Sequence, residues 1–271
     1  MDKISFVILT WNSDRVIISC LESIKTINDQ KYEIILVDNG SCDKTINNID
    51  TFISENPEIS LKKIMLEKNY GTTVSRNLGI QQVADDSNYI CILDSDTVIN
   101  QEAVTELITV LSENEKNAIT GPYMVNLAGE EQITAKKIPT AMLKIKKAVP
   151  VRSIQKKGEE QEKYDFSDEK RSYPVGYLIS ACWMIQRKLM ENIGPLDENI
   201  FYSPEDVEYC VRVWKMGYRV LYCPNAHIIH ATQRISKKKL ISRHNWEHIK
   251  GLVYFFRKYK LFGNSGKIIC K

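Results

Sequence analysis

The feature that most constrains this chain is a series of short apolar segments that alternate with helical patterns over its first hundred residues. The apolar segments occupy residues 4–9, 33–37, 63–66 and 89–93. Helices are predicted between them from apolar positions at helical spacing, at residues 14–27, 43–55 and 72–84. Strands that are apolar on both faces are typical of a parallel sheet covered by helices on each side. The sequence therefore predicts an α/β fold with a mostly parallel central sheet.

Polar side chains stand at the point where three of the predicted strands end. They are Thr10, Asp38, Asn39, Asp94 and Asp96. Open α/β sheets bind their ligands in the crevice outside the carboxyl ends of the strands. Polar loop residues also cap helices, and we predict that role for Asp43 and Thr72. Three such loops in one half of the chain favour a ligand site over capping alone.

The pattern changes after residue 122. Residues 128–172 are rich in Lys, Glu and Gln and show little periodicity, which predicts a long loop, either a lid over a ligand or only partly ordered. A helix is predicted at residues 204–216, a strand at 219–223, and a further helix in the tail around Leu252 to Phe256.

Charge is distributed unevenly along the chain. From Arg234 to Lys271 there are eleven basic residues and one acid, a net charge of +10, which leaves −7 for the remainder of a chain whose total is +3. The overall charge is too mild to indicate nucleic-acid binding. A basic tail with aromatic residues either packs on the body with its lysines solvated or rests weakly on anionic lipid. The sequence leaves both open.

Cysteine usage indicates a reducing compartment. The seven cysteines are scattered, and none belongs to a pair or cluster with zinc-ligand spacing. The first apolar run is too short for a signal peptide, and no run approaches the roughly 20 apolar residues of a membrane span. We therefore expect a cytoplasmic protein.

Two carboxylates, Asp94 and Asp96, follow the predicted strand at 89–93 directly. Paired carboxylate oxygens at a strand end suit Mg²⁺ or Mn²⁺, which bind phosphates while keeping open coordination positions. This spacing alone is also common in solvated turns. The position of this pair directly after a buried strand favours a cation site over a solvated turn.

Two further groups are ambiguous from pattern alone. Glu205, Asp206 and Glu208 are either first-turn acids favoured by the helix dipole or include a carboxylate base kept ionised by that dipole. His230 ends an extended segment on which His227 points to the opposite face, so the two do not share a metal. A lone histidine is more often structural than a ligand. The motifs of P-loop proteins, dinucleotide-binding folds, serine hydrolases and zinc proteases are absent from the sequence.

In this order, the motifs resemble those of the family 2 inverting glycosyltransferases with the GT-A fold, particularly the rhamnosyltransferase-like branch. The matching segments are residues 7–12, 37–43, 69–71, 75–79, 93–96, 194–198, 205–212 and 224–230. They cover roughly residues 3 to 232. An ordered set of this kind is far more specific than any one motif.

The resemblance implies a role for each matching position. Thr10, Asn12, Asp38, Asn39 and Arg76 would form the nucleotide site. Asp94 would lie near the ribose and the cation, Asp96 would ligate the cation, and His230 matches a ligand found in some relatives. Asp206 matches the general base, with Glu205 in support. Trp183 lies in the acceptor region of the family, although core packing is the role that we expect for it.

One position departs from the family. Many relatives carry a second aspartate where Asn39 stands, and that carboxylate reads a ring nitrogen of uracil. An asparagine oxygen accepts the same hydrogen bond without charge, and therefore more weakly. Uridine and thymidine share this edge, so UDP- and dTDP-sugars both remain, with UDP-sugars favoured.

The implied protein is a Mn²⁺- or Mg²⁺-dependent enzyme that moves a sugar to a carbohydrate, lipid-linked or protein acceptor. Residues 1–232 would form the catalytic domain, with a donor half at 1–122, an acceptor half at 123–232, and a basic helical extension at 233–271. A sugar-1-phosphate nucleotidyltransferase is the competing enzyme, although residues 10–14 lack the glycines that such an enzyme uses to hold a triphosphate. A non-catalytic glycosyltransferase-like subunit is the third hypothesis.

Overall fold

The computed structural model describes residues 2–149, 152–165, 171–231 and 243–262. Its strands are β1 (Lys3–Thr10), β2 (Lys31–Asp38), β3 (Leu61–Met65), β4 (Tyr89–Asp94), β5 (Thr97–Val98), β6 (Asn117–Val125), β7 (Glu131–Gln132), β8 (Ala135–Lys136), β9 (Tyr173–Pro174), β10 (Tyr177–Leu178), β11 (Cys182–Gln186) and β12 (Arg219–His230). Its helices are α1 (Ile17–Lys25), α2 (Thr45–Glu55), α3 (Thr72–Ile80), α4 (Gln101–Ser112), α5 (Ala141–Ala148), α6 (Arg152–Glu162), α7 (Arg187–Ile193), α8 (Glu205–Lys215) and α9 (Arg243–Tyr259).

A large central sheet organises the described residues, in the order β3-β2-β1-β4-β11-β6-β12-β5, with β7 and β9 paired at its side. The pairs β3–β2, β2–β1, β1–β4 and β6–β12 are parallel, whereas β11 runs antiparallel to β4 and β6. The predicted α/β fold with a mostly parallel sheet is therefore confirmed. The register places Thr10 beside Asp38 and Leu9 beside Asp94, so the polar strand ends meet at one edge.

Side chains of the central strands alternate between two apolar layers. In β1, Phe6 belongs to an apolar cluster that includes residues of α1, α2 and α4, whereas Val7 belongs to a second cluster that includes residues of α7, α8 and α9. A strand buried on both faces has no solvent-exposed side on which polar residues would alternate, which explains the unbroken apolar runs of the sequence. Trp183 lies fully buried in the second layer and stacks on Tyr209, so its predicted packing role is confirmed.

The segment 128–172, predicted to be a long loop, is largely structured where it is described. It contains β7, β8, α5 and α6, and only residues 150, 151 and 166–170 of it lie outside the described part. The prediction was wrong because these elements are short and are joined by ion pairs rather than by an apolar stripe. Buried Glu162 of α6 pairs with Lys144 and Lys147 of α5 at 2.8 and 2.5 Å.

The predicted tail helix is confirmed as α9, which packs on the body through Phe255 and Phe256. Glu208 of α8 helps to hold it there. This fully buried carboxylate binds Lys258 and the Tyr259 hydroxyl of α9 at 2.8 and 2.7 Å. Of the ambiguous first-turn acids, Glu208 is therefore structural. Tail residues 232–242 and 263–271 lie outside the described part.

The sequence predicted that Thr72 caps α3, but in the structure Gly71 occupies the N-cap position of this helix. Its φ is +92°, which favours glycine, and a Cβ there would lie 2.3 Å from the Phe201 carbonyl oxygen. Thr72 is the first helical residue, and its amide donates to that same carbonyl oxygen at 2.7 Å. Asp43 does bind the start of α2, accepting the Thr45 amide at 3.0 Å.

Candidate functional site

A cleft of about 420 Å³ opens at the carboxyl ends of β1, β2 and β4. The predicted site residues that line it are Asn39, Arg76, Asp94, Asp96, Glu205, Asp206 and His230. The fold therefore brings together residues that lie more than 190 positions apart in the chain. Thr10 and Asp38 end β1 and β2, Asn12 follows β1, and none of these three residues lines the cleft.

Three side chains at one end of the cleft form a cluster suited to a cation. One ligand atom each from Asp94, Asp96 and His230 lies within 4.8 Å of the others. Pairing of β5 with β12 produces this closeness, since the Ala231 amide donates to the Asp96 carbonyl oxygen at 2.8 Å. Two carboxylates and an imidazole match the ligand chemistry of Mn²⁺, and the carboxylates alone match that of Mg²⁺.

Gln132 of β7 holds His230 by two hydrogen bonds. The amide nitrogen of Gln132 donates to the His230 carbonyl oxygen at 2.7 Å, and its Oε1 lies 2.8 Å from the imidazole Nδ1. Because an amide oxygen only accepts, Nδ1 carries the proton in this pair. The Nε2 atom then faces Asp96 Oδ1 at 3.3 Å, with its lone pair directed into the cluster when the ring is neutral.

The carboxylates act on the pKa of His230. Burial alone would lower this pKa, but the hydrogen bond to Asp96 and the negative charges of Asp96 and Asp94 raise it above its ordinary value. The cluster thus favours positive charge at this point. A proton on Nε2 and a bound cation satisfy the same requirement, and they exclude each other at that atom.

Arg76 of α3 lies buried between the cation cluster and the acids of α8. Its guanidinium donates to Asp94 Oδ1 at 2.6 Å and to the Ser180 hydroxyl and carbonyl oxygens at 2.7 and 3.1 Å. Glu205 Oε1 lies 3.5 Å away. These contacts engage both terminal nitrogens, whereas the buried Nε has no hydrogen-bond partner within the described part of the chain. The family role carried over for Arg76 is nucleotide contact, but its contacts here are with other cleft residues.

Glu205 and Asp206 begin α8 and differ in environment. Glu205 is buried and accepts a hydrogen bond from Ser180 Oγ at 3.0 Å. Burial, and then the charge of Asp206, raise the pKa of Glu205 to about 8, although Arg76 opposes the shift. The dipole argument made from sequence therefore does not hold for Glu205, where burial outweighs it.

Asp206 is the more suitable of the two for carrying negative charge. Burial raises the pKa of Asp206 above its ordinary value, and the Val207 amide at 2.8 Å and the positive charges of Lys136, Lys144 and Arg76 oppose this shift only in part. Glu205, with a pKa of about 8, is therefore the acid of the pair that holds a proton at neutral pH, whereas the amide and the positive charges around Asp206 favour the ionised form of that residue. A partly exposed carboxylate in a cleft can accept a proton from a bound hydroxyl group.

Residues of the predicted nucleotide loops are bonded mainly to one another. Both carboxylate oxygens of Asp38 accept hydrogen bonds from Ser41, and the Asn12 side chain accepts one from the Cys42 amide at 2.9 Å.

The side-chain oxygen of Asn39 is also occupied, because Oδ1 accepts from the Tyr70 amide and the Ser75 hydroxyl, both at 2.9 Å. Since both acceptor positions of this oxygen are used, a base could hydrogen-bond to it only by displacing an internal donor. The buried Thr10 hydroxyl has no hydrogen-bond partner among the residues that the structure describes.

Sequence reasoning missed four residues that shape the cleft: Gln132, Ser180, Trp11 and Tyr202. Gln132 and Ser180 lie in segments without any motif, and their partners are distant in sequence, so no local signal could have found them. Trp11 and Tyr202 are large aromatics exposed in the cleft, where such rings stack on ligands. A tryptophan directly after a predicted buried strand could have indicated Trp11 as a ligand-binding residue. His227 points away from the cluster, as predicted, and packs on Tyr123.

Comparison with known families gives a match over most of the chain. The family model described as "Glycosyl transferase family 2" matches residues 5–194. The N-acetylglucosaminyl-diphospho-decaprenol L-rhamnosyltransferase of Mycobacterium tuberculosis is 23% identical over 92% of this chain and 83% of its own length. The dTDP-rhamnosyl transferase RfbF of Shigella flexneri is 24% identical over 83% of this chain and 68% of its own length.

Solved structures resemble the fold at low sequence identity. GalNAc-T7, solved with UDP, GalNAc and Mn²⁺, has a TM-score of 0.70 at 16% identity over 95% of this chain. The mannosyltransferase PcManGT of Pyrobaculum calidifontis, solved with GDP-Man and Mn²⁺, has a TM-score of 0.64 at 15% identity over 97% of it. The chain spans 48% and 65% of those two chains. These likenesses establish the GT-A fold.

The contacts of Gln132 predict its contribution to cation binding. Replacing it by leucine removes both hydrogen bonds to His230, so the imidazole loses its fixed orientation and tautomer. We expect Gln132→Leu to weaken Mn²⁺ binding by roughly 10- to 100-fold in isothermal titration calorimetry. The control is Gln82→Leu, the same change at an exposed position. An unchanged affinity in a folded Gln132→Leu protein would contradict the assignment.

Proposed function

Since the chain belongs to glycosyl transferase family 2 and is therefore a glycosyltransferase, we propose that it is a metal-dependent inverting enzyme of glycan synthesis. It takes a sugar from a nucleoside-diphosphate sugar and attaches it to a hydroxyl group of an acceptor. The observation that carries this proposal is the joining, through Arg76 and Ser180, of a cation cluster to an acid pair within one cleft. Each half alone occurs in many proteins.

For the donor we propose a UDP- or dTDP-sugar. One relative is named a dTDP-rhamnosyl transferase, and one structural neighbour was solved with UDP. Trp11 beside Asn39 offers a ring face on which a pyrimidine can stack. We propose the remaining polar loop residues, Thr10, Asn12 and Asp38, as the support of this base and ribose site. Residues 1–122 then supply the donor half and 123–232 the acceptor half.

We propose Asp94, Asp96 and His230 as the residues that hold Mn²⁺ or Mg²⁺. The cation, when bound, supplies a Lewis acid that stabilises negative charge on the departing nucleoside diphosphate. The chain contributes orientation: Gln132 fixes the imidazole, and Arg76 fixes the Asp94 carboxylate. Both ligands are therefore ordered before a donor arrives, which reduces the entropy lost on binding.

We propose Asp206 as the general base that accepts the proton of the attacking hydroxyl group. The cleft supports this assignment because Glu205 holds a proton, whereas the Val207 amide and the charges of Lys136, Lys144 and Arg76 favour the ionised form of Asp206. Glu205 acts through its neighbour, as a buried acid bonded to Ser180 and close to Arg76. Attack opposite the departing group in a single displacement gives inversion at the anomeric carbon.

We also propose weak contact between α9 and the inner face of the cell membrane. Trp246, Ile249 and Val253 form an exposed apolar row on this helix, beside Lys250 and Arg257. Aromatic and basic side chains together suit the headgroup region of an anionic bilayer. Within the described ranges no helix is long and apolar enough to span a membrane. The six described cysteines are all free.

The base assignment predicts the behaviour of Asp206→Asn. Since the amide cannot accept the proton, we expect the turnover number to fall by about 10²- to 10⁴-fold, whereas donor affinity stays near that of the wild type. The assay measures nucleoside diphosphate released with donor, Mn²⁺ and an acceptor. Glu102→Gln, which removes an exposed first-turn acid of α4, is the control.

Other outcomes would favour the competing functions. Near-normal turnover by a folded Asp206→Asn protein would reject Asp206 as the base. Release of pyrophosphate instead of nucleoside diphosphate would favour a nucleotidyltransferase. Metal-dependent nucleotide binding without transfer or hydrolysis, across a panel of donors, would favour a non-catalytic subunit.

The membrane proposal predicts selective flotation with liposomes. At low salt we expect the protein to float with vesicles containing phosphatidylglycerol and not with pure phosphatidylcholine, since α9 is basic. Replacing Trp246 and Ile249 together by alanine should reduce the bound fraction several-fold. Met65→Ala, at an exposed apolar residue of β3, is the control. No binding by the wild type at low salt would overturn the proposal.

A further inference from the structure

The two acids of the cleft, Glu205 and Asp206, follow directly on a segment that is neither helix nor strand. This segment, residues 194–204, joins α7 to α8 and is called the acid loop below. Its last residues line the cleft beside the acids. A segment outside helices and strands depends on contacts with its neighbours for its position. The elements that hold the acid loop therefore decide where the two acids lie.

Helix α3 holds one side of the acid loop. The Asn77 side chain exchanges two hydrogen bonds with the backbone of Leu196, both at 2.9 Å. Further along the loop, Thr73 Oγ1 donates to the Ile200 carbonyl oxygen at 2.6 Å. The same helix carries Arg76, which binds the Asp94 carboxylate. This side of the loop is consequently fixed relative to the cation cluster.

Helix α9 of the tail holds the other side of the acid loop. The Tyr254 hydroxyl and the Lys258 ammonium group both donate to Asp197 Oδ2, at 2.8 and 2.5 Å. Burial alone would raise the pKa of Asp197, but hydrogen bonds, the one from Lys258 first, lower it to about 2. Lys258 also donates to the buried Glu208 of α8 at 2.8 Å. One ammonium group thus joins the acid loop to the helix that begins with the two acids.

The closest approach between α9 and the acid loop is at Gly251. This residue is buried inside the helix, and a Cβ there would lie 2.2 Å from the Ser203 carbonyl oxygen and 3.1 Å from Pro204 Cδ. Glycine is among the least favourable residues for a helix interior. Its presence here is explained by space, because no side chain fits between α9 and the two residues that precede Glu205.

We propose that α9 clamps the acid loop against α3, with Gly251 and Lys258 as positioning residues for Glu205 and Asp206. Neither Gly251 nor Lys258 lines the cleft, so both act through the loop. A general base accepts a proton only within hydrogen-bond reach, and a small displacement of such a group costs much of the rate. The inference rests on the proposed function, because it takes the acid pair as the place where the attacking group loses its proton.

Replacing Gly251 by alanine tests the clamp, since the added Cβ pushes α9 and Ser203 apart. We expect the turnover number of Gly251→Ala to fall by roughly 10- to 100-fold. Turnover is measured as nucleoside diphosphate released from a panel of UDP- and dTDP-sugars, with Mn²⁺ and with water as the acceptor. Binding of UDP or dTDP with Mn²⁺, measured by isothermal titration calorimetry, should stay at the wild-type level. Unchanged turnover by a folded Gly251→Ala protein would overturn the proposal.

Hydrogen–deuterium exchange tests the same variant without any substrate. In Gly251→Ala we expect faster exchange of the backbone amides of residues 197–208, because the acid loop and the first turn of α8 have lost their support. Residues 89–98, which carry the two aspartates of the cation cluster, should exchange as in the wild type. No change at residues 197–208, or an equal increase along the whole chain, would contradict a clamp on this loop.

A second variant avoids crowding the helix. The Lys258 side chain is partly exposed, and Lys258→Met removes its ion pairs with Asp197 and Glu208. We expect a several-fold loss of turnover with unchanged nucleotide binding, and recovery in Lys258→Arg, which keeps the charge. Lys3→Met is the matched control, because it removes an ion pair of 2.6 Å with Asp86 and should leave turnover unchanged. Equal turnover in Lys258→Met and the wild type would reject Lys258 as a positioning residue.

The proposed general base fails by a different result. Near-normal turnover by Asp206→Asn would reject that assignment, whereas faster exchange of residues 197–208 in Gly251→Ala would still show the clamp. Conversely, an inactive Asp206→Asn protein together with unchanged turnover and exchange in Gly251→Ala would keep the base and overturn the clamp.

Discussion

The buried guanidinium of Arg76 is the interaction on which the rest of the cleft depends. It reaches Asp94 at the end of β4, Ser180 before β11 and Glu205 at the start of α8. Without its charge, these acids would face one another across a partly dry space. Breaking a buried pair by removing one partner costs about 3–5 kcal/mol, because the remaining charge is left uncompensated. Arg76 thus fixes the separations between three elements of the fold. Its positive charge also compensates the carboxylates that the site contains.

Charge is divided along the cleft in a way that suits transfer between two polar substrates. One end collects carboxylates around His230 and favours a cation, and the other presents the lysines of β8 and α5 near Asp206. Between them, Glu205 keeps its proton because burial and the neighbouring charge oppose ionisation. The same pair of acids would behave differently on an exposed helix, where the dipole would favour ionisation of both. The environment, more than the residue type, assigns their roles.

Much of the fold could be predicted from the sequence because it follows from periodicity. Strands buried on both faces require unbroken apolar runs, and parallel neighbours bring their polar ends to one edge, where Asp94 and Asp96 lie. The features that could not be predicted depend on contacts between residues that lie far apart in the sequence. Pattern alone left His230 a lone histidine, since Gln132 and Asp96 reach it only once β7 and β5 pair with their neighbours. The two helices of segment 128–172 were not predicted for the same reason, because ion pairs hold α5 in place and no apolar stripe in the sequence indicates this helix.

Diffraction at the manganese absorption edge, on crystals soaked with Mn²⁺ and either UDP or dTDP, locates the cation and the nucleotide together. We predict an anomalous peak among Asp94, Asp96 and His230, with the nucleotide phosphates beside it. A manganese peak elsewhere, or a nucleotide whose phosphates lie away from this cluster, would contradict it.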